Sequence, residues 1–405
     1  MIVMTPLDST VLPAGIRARL VPDINGLTMH VLEAGFARVP GAAPRPGVLL
    51  LHGFPELAYS WRKVMLPLAA AGYHVIAPDQ RGYGRTVNSA AGGQAGYDAD
   101  LAPFRVLNLV RDALALVAAF GYRAVDVVGH DFGARVAAWC ALTRPDVFRR
   151  VVLMSAPFEG APGLPFDTLA GTAQPAPKSL AIARTLAGLA TLPRPRKHYQ
   201  WYYSSREANT DMQHAPQGVH AFLRAYYHHK SADWEQNQPY ALKEWSAAEL
   251  AKLPTYYVMD RALGMAETVA AQMPSAAAIA ACQWLPEHEL AVYSGEYART
   301  GFQGGLQWYR CGTDPAQSAE LQLFAGRSID VPAMFIAGRS DWGTHQNPGA
   351  FERMQGAACT QMRACHLVDG AGHWVQQEQP EAVSRLLLEF LRTGSGSAGH
   401  MRGLT

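Results

Sequence analysis

The amino-acid sequence predicts an α/β protein with a mostly parallel sheet, an antiparallel hairpin at its start and an inserted helical cap. In the first 155 residues, short apolar runs alternate with helix-like stretches, as expected for parallel strands that are buried on both faces. The alternation stops over residues 156–325, which are rich in alanine and hold eleven of the 16 tyrosines, and it resumes afterwards. We therefore expect a core formed by residues 1–155 and 326–393, a cap formed by 156–325, and a flexible tail at 394–405.

The strands and helices of the core follow from local patterns. Residues 16–21 and 27–32 are β-like and flank Asn25-Gly26, a dipeptide that tolerates positive φ and favours a hairpin turn. Buried strands are then predicted at residues 48–51, 74–77, 125–128, 151–154, 333–337 and 366–368. Helices are predicted at residues 104–120, 134–142 and 380–391.

The charge balance narrows the range of functions. Lys and Arg number 35 against 33 Asp and Glu, so the formal net charge of +2 leaves no large field to attract nucleic acid or an anionic membrane. We therefore expect a substrate that is small or uncharged. We predict no nucleic-acid or membrane partner, and we allow for a homodimer.

Cysteine usage and hydropathy indicate a cytoplasmic protein. The five cysteines are an odd number and form no close CxxC pair, which favours neither a disulfide framework nor a zinc site. The N-terminus lacks a basic region followed by an apolar stretch, and nowhere do about 18 apolar residues run together. We predict no metal and no cofactor.

The segment Gly129-His130-Asp131-Phe132-Gly133 follows a predicted strand and opens a predicted helix. Small residues at its two ends suit a strained strand-to-helix turn that leaves no room for side chains. The pattern is typical of a nucleophile elbow, with Asp131 in the place of a serine. The alternative is a glycine-rich loop whose aspartate caps the helix.

An aspartate nucleophile limits the chemistry. With a reference pKa of about 3.9, its carboxyl is ionised at neutral pH and needs no base to prepare it. Attack on an ester or amide would form an anhydride, whereas attack on a tetrahedral carbon with a leaving group forms a stable ester. The expected reaction is therefore displacement at an sp3 carbon, followed by hydrolysis of the enzyme ester with a base that activates water.

His373 and Asp341 are the candidates for the base and its supporting acid. His373 lies just after the last predicted strand and Asp341 just beyond the penultimate one, so the chain order is nucleophile, acid, histidine. Asp330 precedes its strand and would lie at the wrong end of the sheet. A surface-loop histidine and a turn aspartate are the alternatives.

The oxyanion that forms during ester hydrolysis needs N–H donors, each worth roughly 2.7–4 kcal/mol. The backbone N–H of Phe132, directly after the nucleophile, supplies one. We assign the second to the N–H of Phe54, which lies in a segment just after a predicted strand. An ordinary Gly-Pro turn at the end of that strand is the alternative.

Together, these segments resemble the motifs of the α/β-hydrolase-fold epoxide hydrolases. The similar segments lie on both sides of the cap and are His52-Gly53-Phe54-Pro55-Glu56, Tyr59-Ser60-Trp61-Arg62, Asp79-Gln80-Arg81-Gly82-Tyr83-Gly84, Gly129-His130-Asp131-Phe132-Gly133 and Gly372-His373-Trp374. No single motif is specific, but the combination is. The resemblance implies an α/β-hydrolase fold and the conversion of an epoxide and water to a vicinal diol through a covalent ester of Asp131.

The same resemblance implies two cap tyrosines that support the leaving oxygen. Residues 301–310 are similar to a lid motif of the family and imply Tyr309, and residues 198–203 are similar to an aromatic run that implies Tyr199. A phenol, with a pKa of about 10, can donate a proton at neutral pH. Simple packing is the alternative role for either tyrosine. We expect the substrate pocket to be lined by Trp61, Trp308, Trp374 and Tyr202.

Other functions stay open. Relatives that remove halide from haloalkanes typically have Asn after His-Gly and Trp after the nucleophile, where this chain has Phe54 and Phe132, so that activity is disfavoured. Arg135 matches one of two carboxylate-binding arginines of haloacid dehalogenases, but Phe132 replaces the other. A salt bridge on the helix surface is the simpler role for Arg135. A binding protein that kept the fold without turnover is a further alternative.

Overall fold

The computed structural model describes residues 4–37, 44–89, 95–164 and 178–392, so the predicted tail at 394–405 lies outside the described residues. These ranges contain eleven β-strands: β1 (Ile16–Ile24), β2 (Leu27–Ala34), β3 (Gly47–Leu51), β4 (His74–Pro78), β5 (Val87–Asn88), β6 (Val125–His130), β7 (Phe148–Met154), β8 (Arg196–His198), β9 (Val258–Asp260), β10 (Ala333–Gly338) and β11 (Met362–Val368). They also contain sixteen α-helices: α1 (Arg62–Ala70), α2 (Val106–Ala119), α3 (Phe132–Thr143), α4 (Lys178–Ala190), α5 (Tyr199–Tyr203), α6 (Glu207–Gln213), α7 (Gly218–Lys230), α8 (Ala247–Leu250), α9 (Met265–Ala270), α10 (Ala276–Ala281), α11 (Glu287–Thr300), α12 (Gln303–Thr313), α13 (Pro315–Ser318), α14 (Ala350–Arg353), α15 (Val375–Glu378) and α16 (Pro380–Arg392). None of the helices in these ranges is both long and apolar enough to cross a bilayer.

Nine of the described strands form one mostly parallel sheet. Its order is β1-β2-β4-β3-β6-β7-β10-β11, and β5 pairs with β2. β2 is antiparallel to β1, β4 and β5, whereas every pair from β4 to β11 is parallel. The predicted fold class is thereby confirmed, including its antiparallel start.

The opening hairpin has the predicted two-residue turn. β1 ends at Ile24 and β2 begins at Leu27, and between them Asn25 and Gly26 have φ angles of 50° and 80°. Two positive φ angles match a type I′ turn, whose twist fits that of the strands. The Asn25 amide also donates to Asp112 Oδ1 on α2 at 2.7 Å, which fixes the hairpin against the core.

The central strands are buried along their whole length. Every residue of β3, β6 and β10 is buried, as expected where both faces of a parallel sheet are covered. Burial on both faces explains why these strands are continuous apolar runs in the sequence. Each fully buried Val, Leu or Ile side chain contributes about 1.5–3 kcal/mol to stability. The carboxyl ends of β3, β6, β10 and β11 meet at one edge of the sheet, where the loops with the candidate catalytic residues begin.

The described part of the segment predicted as a cap, residues 156–164 and 178–325, contains the ten helices α4–α13 and a second, small sheet. In this sheet β8 and β9 pair antiparallel, with Arg196 opposite Asp260 and His198 opposite Val258. The sequence pattern predicted helices alone and was wrong for these residues. Strands of three residues are too short to show the alternation that identifies a strand.

The cap contacts the core through close backbone packing and through ion pairs. A Cβ added to Gly304 on α12 would lie 1.9 Å from the carbonyl oxygen of Gly82, so only glycine lets the two segments meet. On α11, Glu296 Oε1 lies 2.7 Å from Arg85 Nη2 of the core. These contacts hold α11 and α12 against the loops that follow the central strands.

Candidate active site

Asp131 occupies the sharp turn between β6 and α3. Its φ of 53° and ψ of −119° are unusual for a residue with a side chain, and such a conformation costs about 1–3 kcal/mol. A Cβ on Gly129 would lie 2.1 Å from the carbonyl oxygen of Gly133, and a Cβ on Gly133 would lie 2.1 Å from that of Leu51. Both glycines are therefore required by the turn, which holds the Asp131 side chain at the carboxyl edge of the sheet.

The Asp131 carboxylate contacts residues from two other loops. Oδ1 accepts a hydrogen bond from the Phe54 N–H at 3.0 Å, and Oδ2 lies 3.4 Å from His373 Nε2. Burial alone would raise the pKa of Asp131, but the contact with His373 and the positive charge of Lys230 outweigh it and hold the pKa well below its usual range. The carboxylate is therefore ionised and available as a nucleophile at neutral pH.

His373 is held between two carboxylates. Its Nδ1 lies 3.1 Å from Asp341 Oδ1, and both side chains are almost completely buried. Asp341 Oδ1 also accepts from the Gly343 N–H at 2.7 Å. Burial raises the pKa of Asp341, but the interaction with His373 outweighs it and lowers the pKa below its usual value. The three residues that the sequence predicted as nucleophile, base and acid thus lie together after β6, β11 and β10.

The N–H of Phe54, one of the two predicted oxyanion donors, contacts the nucleophile directly. Phe132, the other, is the first residue of α3, and the first N–H groups of a helix have no partner within the helix. A Cβ on Gly53 would lie 2.4 Å from Asp131 Oδ1, so the absence of a side chain there lets the Phe54 N–H reach the carboxylate.

A buried His–Glu ion pair that sequence reasoning missed contacts the backbone of His373. His130 Nδ1 is 2.5 Å from Glu56 Oε2, and His130 Nε2 donates to the carbonyl oxygen of His373 at 2.7 Å. Burial opposes charge on both side chains, but each stabilises the charged form of the other, so the pKa of Glu56 is lowered and that of His130 is raised. Because a carbonyl only accepts, this arrangement fits an imidazolium that donates to Glu56 and to the backbone of His373.

Both predicted lid tyrosines reach the same site. Tyr309 on α12 packs edge-on against Phe132 and Phe54, at ring-centroid distances of 4.5 and 5.4 Å, and lies 5.8 Å from the ring of Tyr199 on α5. Burial, reinforced by the charge of Asp131, raises the pKa of both phenols well above 10.0. Both are therefore protonated donors, and the Tyr199 hydroxyl already donates to Gln346 Oε1 at 3.3 Å.

Tyr202, predicted to line the pocket, has its hydroxyl on Asp211 Oδ2 at 2.7 Å, inside the cap. Tyr203 takes the place beside the lid tyrosines, with its ring 4.9 Å from that of Tyr309 and its hydroxyl 3.2 Å from the Tyr226 hydroxyl. Sequence reasoning missed Tyr203 and Tyr226. The available signal was the four-residue spacing between Tyr199 and Tyr203, which puts them on one face of a helix.

The three predicted pocket tryptophans differ in their positions. Trp374 contacts His373 edge-to-face with 4.7 Å between the ring centroids, and the ring of Trp308 lies 5.7 Å from that of Phe132. Trp61 is fully buried at the start of α1 and shares no hydrogen bond or ring contact with these residues within the described ranges.

Arg135 on α3 forms no ion pair with any described residue. It lines a small pocket with Phe132, Trp308 and Cys311, and burial lowers the pKa of its guanidinium. The surface salt bridge of Arg135 that the sequence analysis considered is therefore not seen among the described residues. The described residues also contain no cluster of His, Cys, Asp and Glu that could hold a metal.

Comparison with known proteins agrees with this geometry. A family model described as the α/β hydrolase fold matches residues 46–380. Epoxide hydrolase A of Mycobacterium tuberculosis is 34% identical over 387 residues, which cover 92% of this chain and 96% of that protein. Epoxide hydrolase B of the same organism is 33% identical over 353 residues, which cover 85% of this chain and 91% of that protein.

Two solved structures give the same result. An epoxide hydrolase from an endophytic Streptomyces superposes with a TM-score of 0.72 and 30% sequence identity. The match covers 94% of this chain and 96% of the Streptomyces chain. Potato epoxide hydrolase I superposes with a TM-score of 0.64 and 28% sequence identity. The match covers 93% of this chain and 99% of the potato chain. The chain therefore belongs to the α/β-hydrolase family and, within it, to the epoxide hydrolases, as the motifs predicted.

Proposed function

We propose that the protein converts an epoxide and water to a vicinal diol through a covalent ester of Asp131. The observation that supports this most is that an ionised and largely enclosed carboxylate lies close to two protonated phenols. Tyr309 packs against Phe54 and Phe132, whose segments flank that carboxylate, and Tyr199 packs against Tyr309. Burial raises the pKa of both phenols, and the charge of Asp131 adds to that effect. An epoxide needs a nucleophile at carbon and a proton donor at oxygen, and these side chains supply the two.

In the first step, the Asp131 carboxylate attacks an epoxide carbon. A bond forms between a carboxylate oxygen and that carbon while the ring C–O bond breaks. Tyr309 and Tyr199 support the departing oxygen, which takes a proton from one of them. The product is an alkyl ester with a free hydroxyl on the neighbouring carbon.

In the second step, His373 removes a proton from water, and the oxygen of that water attacks the Asp131 carbonyl carbon. Asp341 orients the imidazole and stabilises its protonated form. The N–H groups of Phe54 and Phe132 bind the oxyanion. Collapse breaks the bond to the alkyl oxygen, the diol leaves with a proton from His373, and the remaining proton returns from the Asp131 carboxyl to the tyrosinate.

The decisive experiment follows the oxygen of water. Terminal, cyclic and aryl epoxides are screened for diol formation, and the best substrate is then turned over once in ¹⁸O-water with enzyme in excess. Because the first oxygen comes from the carboxylate, we expect a largely unlabelled diol and label in the peptide that contains Asp131. After many turnovers the diol becomes labelled.

Other outcomes separate the alternatives. A labelled diol from the first turnover, with an unlabelled peptide, means that His373 directs water onto the epoxide and that Asp131 is not the nucleophile. Epoxide binding without diol would indicate a binding protein. Halide release from a halocarboxylate, with no diol from any epoxide, would indicate a dehalogenase.

A further inference from the structure

Lys230 is a buried lysine that the proposed reaction has not used. It ends α7 and is only 3% exposed. Its Nζ lies near the faces of four aromatic rings, here called the aromatic cage, at centroid distances of 4.9 Å for Tyr257, 5.4 Å for Trp374, 5.6 Å for Tyr226 and 5.7 Å for Tyr256. No hydrogen bond or ion pair of the ammonium is seen within the described ranges, and these four rings are its observed side-chain contacts there.

The charges that act on Lys230 belong to the candidate active site. Burial lowers the pKa of Lys230, and the carboxylates of Asp131, Asp341 and Glu56 oppose that effect. Glu56 already has a counter-charge in His130, at 2.5 Å. The positive charge of Lys230 therefore compensates chiefly the two carboxylates that flank His373.

The backbone fixes this lysine relative to the base. The His373 N–H donates to the carbonyl oxygen of Lys230 at 2.9 Å. A Cβ on Gly372 would lie 2.6 Å from the same oxygen, so the end of α7 and the loop with His373 are in close contact. The backbone of Lys230 thus lies beside the base, and its ammonium lies 5.4 Å from the ring of Trp374, which in turn contacts the ring of His373 at 4.7 Å.

We propose that Lys230 is a fixed positive charge that favours the anionic forms of Asp131 and so speeds hydrolysis of the ester rather than its formation. Negative charge leaves Asp131 when the epoxide opens, and it returns to the Asp131 oxygens when water attacks the ester. A nearby cation therefore stabilises the oxyanion of the second step and gives no help to the first. The aromatic cage keeps the ammonium from a direct ion pair that would occupy the nucleophile.

The test separates the two steps in single-turnover kinetics with the best epoxide of the screen. This inference rests on the proposed function. In Lys230→Met we expect ester decay to slow by about tenfold or more, equivalent to about 1.4 kcal/mol, while ester formation stays the same or becomes faster. Lys230→Arg keeps the charge and should restore much of the decay rate. Lys197→Met is the matched control, because Lys197 Nζ also lies over a tyrosine ring, 4.1 Å from the centroid of Tyr202, but is half-buried and has Glu207 and Asp211 of the cap as its opposite charges.

A purely structural role would slow both steps together or lower the melting temperature alone, and either result would overturn the proposal. If Lys230→Met does not fold, Lys230→Gln and Lys230→Arg are compared instead, and equal ester decay in the two contradicts a role for charge. If the wild type produces diol and the ester decays at the same rate in Lys230→Met, this inference is wrong but the proposed function stands. Absence of diol from the wild type removes both.

Discussion

The core and the cap contribute different chemistry to one site. The core contributes the carboxylates and the imidazole: Asp131, Asp341 and His373 each follow a strand of the parallel sheet. The cap contributes phenols, Tyr199 and Tyr309, on helices. A buried charge needs fixed dipoles or a counter-charge, and the loops after the strands supply fixed dipoles in the N–H groups of Phe54 and Gly343. A neutral phenol needs only one hydrogen-bond partner, so a cap helix that packs against the core can position it.

This division of chemistry predicts that changes to the triad and changes to the two phenols will affect different steps. Core residues act in both formation and hydrolysis of the ester, whereas the phenols act where the epoxide oxygen leaves. Changes in the core are therefore expected to have the larger effects.

The largest effect is expected for His373→Gln. Ring opening needs the carboxylate and the phenols but not the base, so the first turnover should still form ester. Without the base the ester should persist, and repeated turnover should fall by roughly 10²–10⁴. Mass spectrometry of the intact protein after mixing with substrate should show the adduct. The control is His366→Gln, on β11, which should turn over normally. Normal turnover in His373→Gln would refute the assignment of base and triad.

The next effect is expected in the cap. Tyr309→Phe and Tyr199→Phe should each slow ester formation, and the double change should slow it by roughly 10²–10⁴ while ester decay changes little. Stopped-flow single turnovers measure both steps. Tyr240→Phe, a cap tyrosine that is 50% exposed, is the control. A double variant within tenfold of the wild type would exclude these phenols as donors.

The smallest effect is expected on stability. It concerns Asp79, a buried carboxylate of the core. Asp79 accepts from the N–H groups of Ala58 at 2.9 Å and Arg85 at 3.0 Å. Burial raises the pKa of Asp79, but His30, His52 and the Arg85 N–H together outweigh burial and lower the pKa from 3.8 to about 2. Because the folded-state pKa is the lower one, the stabilisation is present above pH 3.8 and is lost as the pH falls through about 2.

Asp79→Asn should therefore lower the free energy of unfolding by about 1–3 kcal/mol at neutral pH, and the difference should shrink in acid. Urea unfolding of both proteins across this pH range measures it. The control is Asp98→Asn, since Asp98 forms an exposed pair with Arg206 of the cap and should matter little at any pH. If the difference in unfolding free energy between the wild type and Asp79→Asn is the same at every pH, ionisation of Asp79 does not contribute to stability as described.

The fold could be predicted well because its signals are local. The strands of the main sheet except β5 were predicted to within a few residues, since burial on both faces produces continuous apolar runs. The turn at Asn25-Gly26 was predicted because few other residues adopt its φ angles. The small sheet of β8 and β9 was missed because three residues contain too little pattern.

Prediction of the candidate site was uneven for a related reason. The sequence by itself determined the elbow at Asp131 and the positions of Asp341 and His373, because glycine sterics and strand order place these residues whatever packs around them. Tyr309 and Tyr199 came only from a family resemblance. The tertiary structure alone decided that Tyr203 replaces Tyr202 beside the lid, that His130 bonds the backbone of His373, and that the aromatic cage surrounds Lys230. Those contacts depend on how the cap seats on the core, and no local period or spacing in the sequence records that packing.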